Sequence, residues 1–281
     1  MRIIDVHTHI FPKEIRTRRE AYFSDEPEFK KLYQSPKSRL IGAQEMLAAM
    51  GDHQVERSVI FGFPWKDPQL FKKHNDYIIA VVKRYPDRFI GLGCFDLFCE
   101  DAAAETQRCL EQGGLSGIGE LAFYQSGIDH TALDRLAPVM DICRDGDLPV
   151  LIHTNEPIGH AYPGKTPNTL AQIYRLIDTF PQNKILLAHW GGGLFFFSLL
   201  KKEVKERLTH VYFDTAASPY LYDPKVYRLA IDLVGVKKIL FGSDYPLLPP
   251  ARYIDEMQTT GLSKSEMRQI CGLNAAKLFN L

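Results

Sequence analysis

The chain has 281 residues, 45% of them hydrophobic, with 34 basic and 34 acidic side chains, which is enough length for one large domain with a substantial core. This composition excludes a disordered or fibrous chain, and a formal net charge of zero gives no basic field for nonspecific nucleic-acid or anionic-membrane binding. Five cysteines without CxxC spacing, no apolar run of roughly 18 residues and no signal-peptide pattern after Met1 predict a cytoplasmic protein.

Short runs rich in Val, Ile, Leu and Phe recur at residues 2–7, 57–63, 89–95, 117–122, 149–154, 184–189, 210–214 and 238–243, and they read as strands buried on both faces. Amphipathic stretches at 75–84, 102–112, 131–144, 168–180 and 224–234 lie between them, with apolar residues at helical spacing. This alternation predicts an α/β fold, a (β/α)8 TIM barrel spanning 1–281 as a single domain. An open doubly wound sheet would carry a glycine-rich phosphate turn after its first strand. Here that turn reads His7-Thr8-His9-Ile10-Phe11-Pro12. The long charged and aromatic segment at about 11–43 departs from the regular spacing and is expected to be a lid over the barrel mouth.

Active sites of such barrels gather at the C-terminal ends of the strands, so polar residues that end apolar runs are the candidates. The first run ends in His7-Thr8-His9, where two imidazoles spaced two apart in an extended chain point to one side. His153 closes the fifth run, His189 the sixth, and Asp244 follows the eighth. Taken singly, each reads equally well as a surface or buried, hydrogen-bonded histidine, or as a helix-capping aspartate. Together, three histidines and a carboxylate match the ligand preferences of zinc, with a position left open for water or substrate. Glu120 ends the fourth run and must be paired or metal-bound to offset its desolvation.

The ordered set Asp5-Val6-His7-Thr8-His9, His153, His189-Trp190-Gly191-Gly192 and Gly242-Ser243-Asp244-Tyr245-Pro246 resembles the amidohydrolase superfamily over nearly the whole chain. The resemblance is to the amidohydrolase-2 family, which includes aminocarboxymuconate semialdehyde decarboxylase-like enzymes. It implies that His7, His9, His153 and Asp244 bind a divalent metal, with His189 a catalytic or substrate-orienting residue. Glu120 is more like the binuclear, deoxyribonuclease-like branch, in which such a carboxylate bridges two ions and His189 binds the second. One ion or two therefore stays open, and a homodimer is implied by the resemblance alone.

A zinc-type ion held by neutral imidazoles lowers the pKa of bound water, with Asp244 the candidate base and His189 the group that polarises a carbonyl or protonates a leaving group. The expected activity is hydrolysis of a small ester, lactone or amide. The alternatives are nonoxidative decarboxylation or hydration of a small unsaturated carboxylic acid, and a metal-containing barrel that acts only as a binding protein. Candidate substrate-binding residues are Trp65 after the second strand and His160, Tyr162 and Lys165 after the fifth. A packing or solvated-loop role stands beside each of these assignments.

Overall fold

A computed structural model describes residues 1–281. Its strands are β1 (Ile4–His9), β2 (Arg57–Phe61), β3 (Phe89–Gly91), β4 (Ile118–Leu121), β5 (Val150–Ile152), β6 (Ile185–Leu187), β7 (Val211–Asp214) and β8 (Ile239–Leu240). They pair in parallel in the orders β1-β2-β3 and β4-β5-β6-β7-β8. Bridges join the two sheets at both seams, Gly93 with Ile118 and Thr8 with Tyr245. At the second seam, Val6 N–H donates to Phe241 O and Asp244 N–H to His7 O, both at 2.9 Å. The chain is thus a (β/α)8 barrel, as the alternation of elements predicts.

Successive residues of a strand point to opposite faces, and the packing follows that rule. Val6, Val59, Ile90, Leu151, Leu186 and Leu240 form the inner layer, which the C-terminal residues Ala275, Leu278 and Phe279 cover. Ile60, Val150, Ile152, Ile185 and Phe213 face outward, in the larger cluster shared with the helices. Both faces must be apolar, which is why the strands read as continuous hydrophobic runs; burying each such side chain fully contributes about 1.5–3 kcal/mol.

The helix after β2 spans Pro68–Arg84 and starts seven residues before the apolar periodicity suggests. Asp67 caps it, accepting Gln69 N–H at 2.8 Å, and Pro68 occupies its first turn, where a missing N–H costs nothing. Residues 11–43 contain the helices Lys13–Thr17 and Pro27–Tyr33. Phe29 anchors the second of these, with ring centroids 4.5 Å from Trp65, 4.8 Å from Tyr33 and 5.4 Å from Phe63. Glu26 accepts the backbone N–H groups of Lys66 and Asp67, each at 3.0 Å. Leu32 lies beside Gly164. The segment therefore packs on the loops that follow β2 and β5, at the mouth of the barrel. No helix is long and apolar enough to cross a membrane.

Candidate metal centre

The pairing of β1 with β2 shifts register between Asp5 and Thr8. A slip of this kind changes which face a strand presents, and it brings His7 and His9 to the mouth above the inward-facing Val6. A second shift occurs in β4 between Ile118 and Leu121, both of which pack outward, leaving Glu120 directed into the barrel. Gly119 permits the bend, since its φ is +138° and a Cβ there would lie 2.4 Å from Leu151 O.

Six side chains from the ends of four strands and the turn after β8 converge. His7 Nε2 lies 3.6 Å from Glu120 Oε2 and 3.7 Å from Asp244 Oδ1. His9 Nε2 lies 3.9 Å and 3.4 Å from the same two oxygens. The other oxygen of Glu120 is 2.8 Å from His153 Nδ1 and 3.6 Å from His189 Nε2. Glu120, rather than His153, stands beside His7 and His9, and His153 meets that carboxylate from the far side with His189.

Each imidazole is held by its Nδ1. His7 Nδ1 donates to Asp214 Oδ2 at 2.9 Å, His9 Nδ1 to Gly62 O at 3.2 Å, His153 Nδ1 to Glu120 Oε1 at 2.8 Å and His189 Nδ1 to Ala216 O at 3.0 Å. A neutral ring that donates from Nδ1 keeps Nε2 as an acceptor or ligand. Nε2 of His7 and of His153 are buried without a hydrogen-bond partner, an expensive state unless an ion or substrate meets them. Three groups, His7–His9–Glu120, His7–His189–Asp244 and Glu120–His153–His189, each bring their ligand atoms within 4.8 Å of one another. This donor set fits a divalent cation.

The electrostatics follow from crowding opposite charges in a dry site. Burial pushes the Glu120 carboxyl up, but His7 and His153 outweigh it and hold the pKa well below the ordinary value. Burial acts on Asp244 in the same sense, and His9, His7 and His189 reverse it, leaving its pKa lowered. For His189 burial disfavours the imidazolium, yet the carboxylates of Glu120 and Asp244 raise its pKa. Both His189, with φ +53°, and Asp244, with φ +57°, occupy the left-handed region, at a cost of about 1–3 kcal/mol each. His189 N–H donates to Asp214 Oδ1 at 2.8 Å and Asp244 N–H to His7 O at 2.9 Å, which holds those conformations.

Three further residues, none of them among the candidate ligands, support the centre. Asp214 ends β7 and is fully buried; as the carboxylate closing an apolar run, it carried the same signal as Glu120. Asp5 accepts His7 N–H at 3.2 Å and the Ser243 N–H at 3.0 Å, which ties β1 to the turn after β8; burial raises its pKa to about 7 against these hydrogen bonds. Cys94 donates its S–H to the backbone oxygen of Glu120 at 3.2 Å, a contact that no motif marks.

The proposed substrate residues separate. Trp65 is corrected from a substrate contact to a core residue. It is fully buried, packed at a tilt against Phe29 and edge-on against Phe63, and its indole N–H donates to His74 Nδ1 at 2.9 Å. His160 is exposed on its loop. Tyr162 and Lys165 both bond Glu156, at 2.8 Å and 2.7 Å, and with Lys31, Tyr124 and Gln125 they line an open cleft of about 570 Å³. Tyr124 links that cleft to the centre, its ring lying 6.4 Å from that of His153.

A family model described as amidohydrolase matches residues 4–281. The chain belongs to the amidohydrolase-2 family. The 2-amino-3-carboxymuconate-6-semialdehyde decarboxylase of Dictyostelium discoideum is 27% identical, aligned over 99% of this chain and 91% of its own length. The gamma-resorcylate decarboxylase of Polaromonas sp. is 24% identical over 87% of this chain and 90% of its own. Among solved structures, a mutant of 5-carboxyvanillate decarboxylase from Novosphingobium aromaticivorans, with bound manganese, superposes with a TM-score of 0.79 at 18% identity, covering 100% of this chain and 97% of that one. The family membership agrees with the resemblance read from the strand-end motifs. The expectation of ester, lactone or amide hydrolysis is overturned, because these amidohydrolase-2 relatives are decarboxylases.

Proposed function

We propose that this protein is a divalent-metal-dependent nonoxidative decarboxylase of a small unsaturated or aromatic carboxylic acid. The observation that carries the reading is the match, over 99% of the chain, to a curated decarboxylase, and the orphaned Nε2 atoms of His7 and His153 support it.

His7 Nε2, His9 Nε2, Glu120 Oε2 and Asp244 Oδ1 would hold one ion. The separations of 3.4–3.9 Å between these imidazole and carboxylate atoms would let all four meet one divalent cation. Manganese, present in the related structure, is our preferred ion in place of zinc, since imidazole and carboxylate ligands suit both. The ion supplies positive charge against which the substrate carboxylate and a neighbouring oxygen are oriented.

Decarboxylation breaks the bond between carbon and carboxylate, releases CO2 and leaves an electron pair that takes up a proton. His189 is the proton donor in this reading, because its Nδ1 is anchored on Ala216 O and its Nε2 faces the centre. The Asp244 carboxylate favours the imidazolium form of His189, and water entering from the cleft returns the proton that His189 gives up in each turnover. Lys165 and Tyr162 form the outer wall, Lys165 attracting the anionic substrate. The segment at 11–43 covers the mouth as a lid: Tyr33 lies within it, and burial together with the charges of Asp244 and Glu120 raises its phenol pKa.

The test supplies the manganese-loaded protein with gamma-resorcylate, 5-carboxyvanillate and 2-amino-3-carboxymuconate-6-semialdehyde, and follows isotopically labelled CO2. Release of one CO2 per acid consumed is the expected result. Opening of an ester or lactone, with no CO2 from any of the three acids, would overturn the reading.

A further inference from the structure

His74 lies outside the ligand cluster, on the helix Pro68–Arg84, yet it touches both backbone segments that hold His9. Its Nε2 bonds the carbonyl of Ile10, the residue after His9, at 2.7 Å. The face of its ring lies against Gly62, where a Cβ would come within 2.7 Å of the imidazole. Gly62 O is the acceptor for His9 Nδ1 at 3.2 Å. Any side chain at position 62 would separate the ring from the strand end that orients His9.

The protonation state of His74 is fixed by its neighbour. An indole N–H can only donate, so the 2.9 Å contact from Trp65 Nε1 requires His74 Nδ1 to be the acceptor. The proton then sits on Nε2 and is donated to Ile10 O. Trp65 and Ile10 are fully buried and His74 is 1% exposed, so no water competes for these bonds. The lid segment closes over them, with Phe11 5.1 Å from the His74 ring and Phe29 4.5 Å from Trp65.

We infer that His74 is a positioning residue for His9, clamping the Ile10 and Gly62 backbone so that His9 Nε2 is presented to the cation, with Trp65 setting the tautomer that makes the clamp. The inference rests on the metal-centre reading above. Partners of metal-binding histidines typically contribute 10- to 100-fold in metal affinity, and the clamp acts one residue further out, through the backbone.

The experiment titrates Mn2+ into the metal-stripped full-length protein and reads affinity. His74→Phe should weaken Mn2+ binding by about tenfold or more; His74→Gln, which can still donate to Ile10 O, should recover most of it. In a double-mutant cycle, His74→Phe should add little to the loss already caused by His9→Ala, whereas a merely structural defect would add in full. Wild-type Mn2+ affinity in His74→Phe, with affinity lost in His9→Ala, overturns the clamp and leaves the metal centre standing. Unchanged affinity in His9→Ala overturns both. Should His74→Phe fail to fold, Trp65→Phe decides the matter: severalfold weaker Mn2+ binding supports the clamp, and wild-type affinity overturns it.

Discussion

The Asp214 carboxylate lies 2.9 Å from His7 Nδ1, and its other oxygen accepts the backbone N–H groups of His189 at 2.8 Å and Ala216 at 3.0 Å. One buried acid therefore sets the tautomer of a candidate ligand from β1 and the strained backbone of a candidate proton donor after β6. This couples the two halves of the site through a residue that lies outside the proposed ligand set.

Asp214→Asn tests that coupling. The amide has the shape of the carboxylate, but with Oδ1 kept on the His189 and Ala216 N–H groups its NH2 faces His7 Nδ1, which must either meet it donor to donor or move its proton to Nε2, the ligand atom. The expected result is a loss of about 1–3 kcal/mol in unfolding free energy together with about 10- to 100-fold weaker Mn2+ binding. Denaturant titration and Mn2+ titration read these separately, and wild-type values in both would remove the role.

Glu120 shares its oxygens between His7 and His9 on one side and His153 and His189 on the other. If Oε2 completes a single cage, the protein purified without chelator should hold one ion per chain, and Glu120→Gln well under one. Elemental analysis of both proteins measures this. Two ions in the wild type, falling to one in the variant, would instead make Glu120 a bridge and His189 a ligand of the second ion.

Much of this centre was legible because metal-site chemistry and barrel topology leave marks in sequence. A polar residue that ends a buried run is costly unless used, and that rule alone found His7, His9, Glu120, His153, His189 and Asp244. It did not group them. The register slips in β1 and β4, which place Glu120 rather than His153 beside His7 and His9, are tertiary features with no local signature. Trp65 misled because its position at the mouth is right while its burial under the helix Pro27–Tyr33 depends on the path of the inserted segment. The chemistry was the least legible part, since hydrolysis and decarboxylation draw on the same donor set and differ in what fills the cleft.

His189 separates binding from chemistry. Its Nε2 faces the centre, but the four-atom cage of His7, His9, Glu120 and Asp244 does not include it. His189→Gln should therefore lower kcat by about 10²- to 10⁴-fold, the usual contribution of a positioned acid or base, with Mn2+ affinity and KM changed only a few-fold. Steady-state CO2 release alongside Mn2+ titration checks this; a variant that loses the ion in step with activity would make His189 a ligand.

The last expectation concerns acid. Burial lowers the His74 pKa from 6.5 to about 4, and the titratable groups facing the ring are His9, which adds to the lowering, and Tyr77, whose ring centroid is 6.3 Å away. A base with a folded pKa below its unfolded one takes up a proton on unfolding in the window between them. Its contribution is thus complete above pH 6.5 and is lost as pH falls towards 4. His74→Gln cannot titrate, so it isolates this contribution from those of the other buried histidines. Whatever the difference in unfolding free energy between wild type and His74→Gln at pH 7, it should shift against the wild type by about 2 kcal/mol at pH 5. Denaturant titrations of the metal-free proteins at the two pH values measure it. A difference that stays constant between pH 7 and pH 5 would mean that His74 takes up a proton as readily in the fold as in the unfolded chain, so that its bonds to Trp65 and Ile10 do not hold the ring neutral.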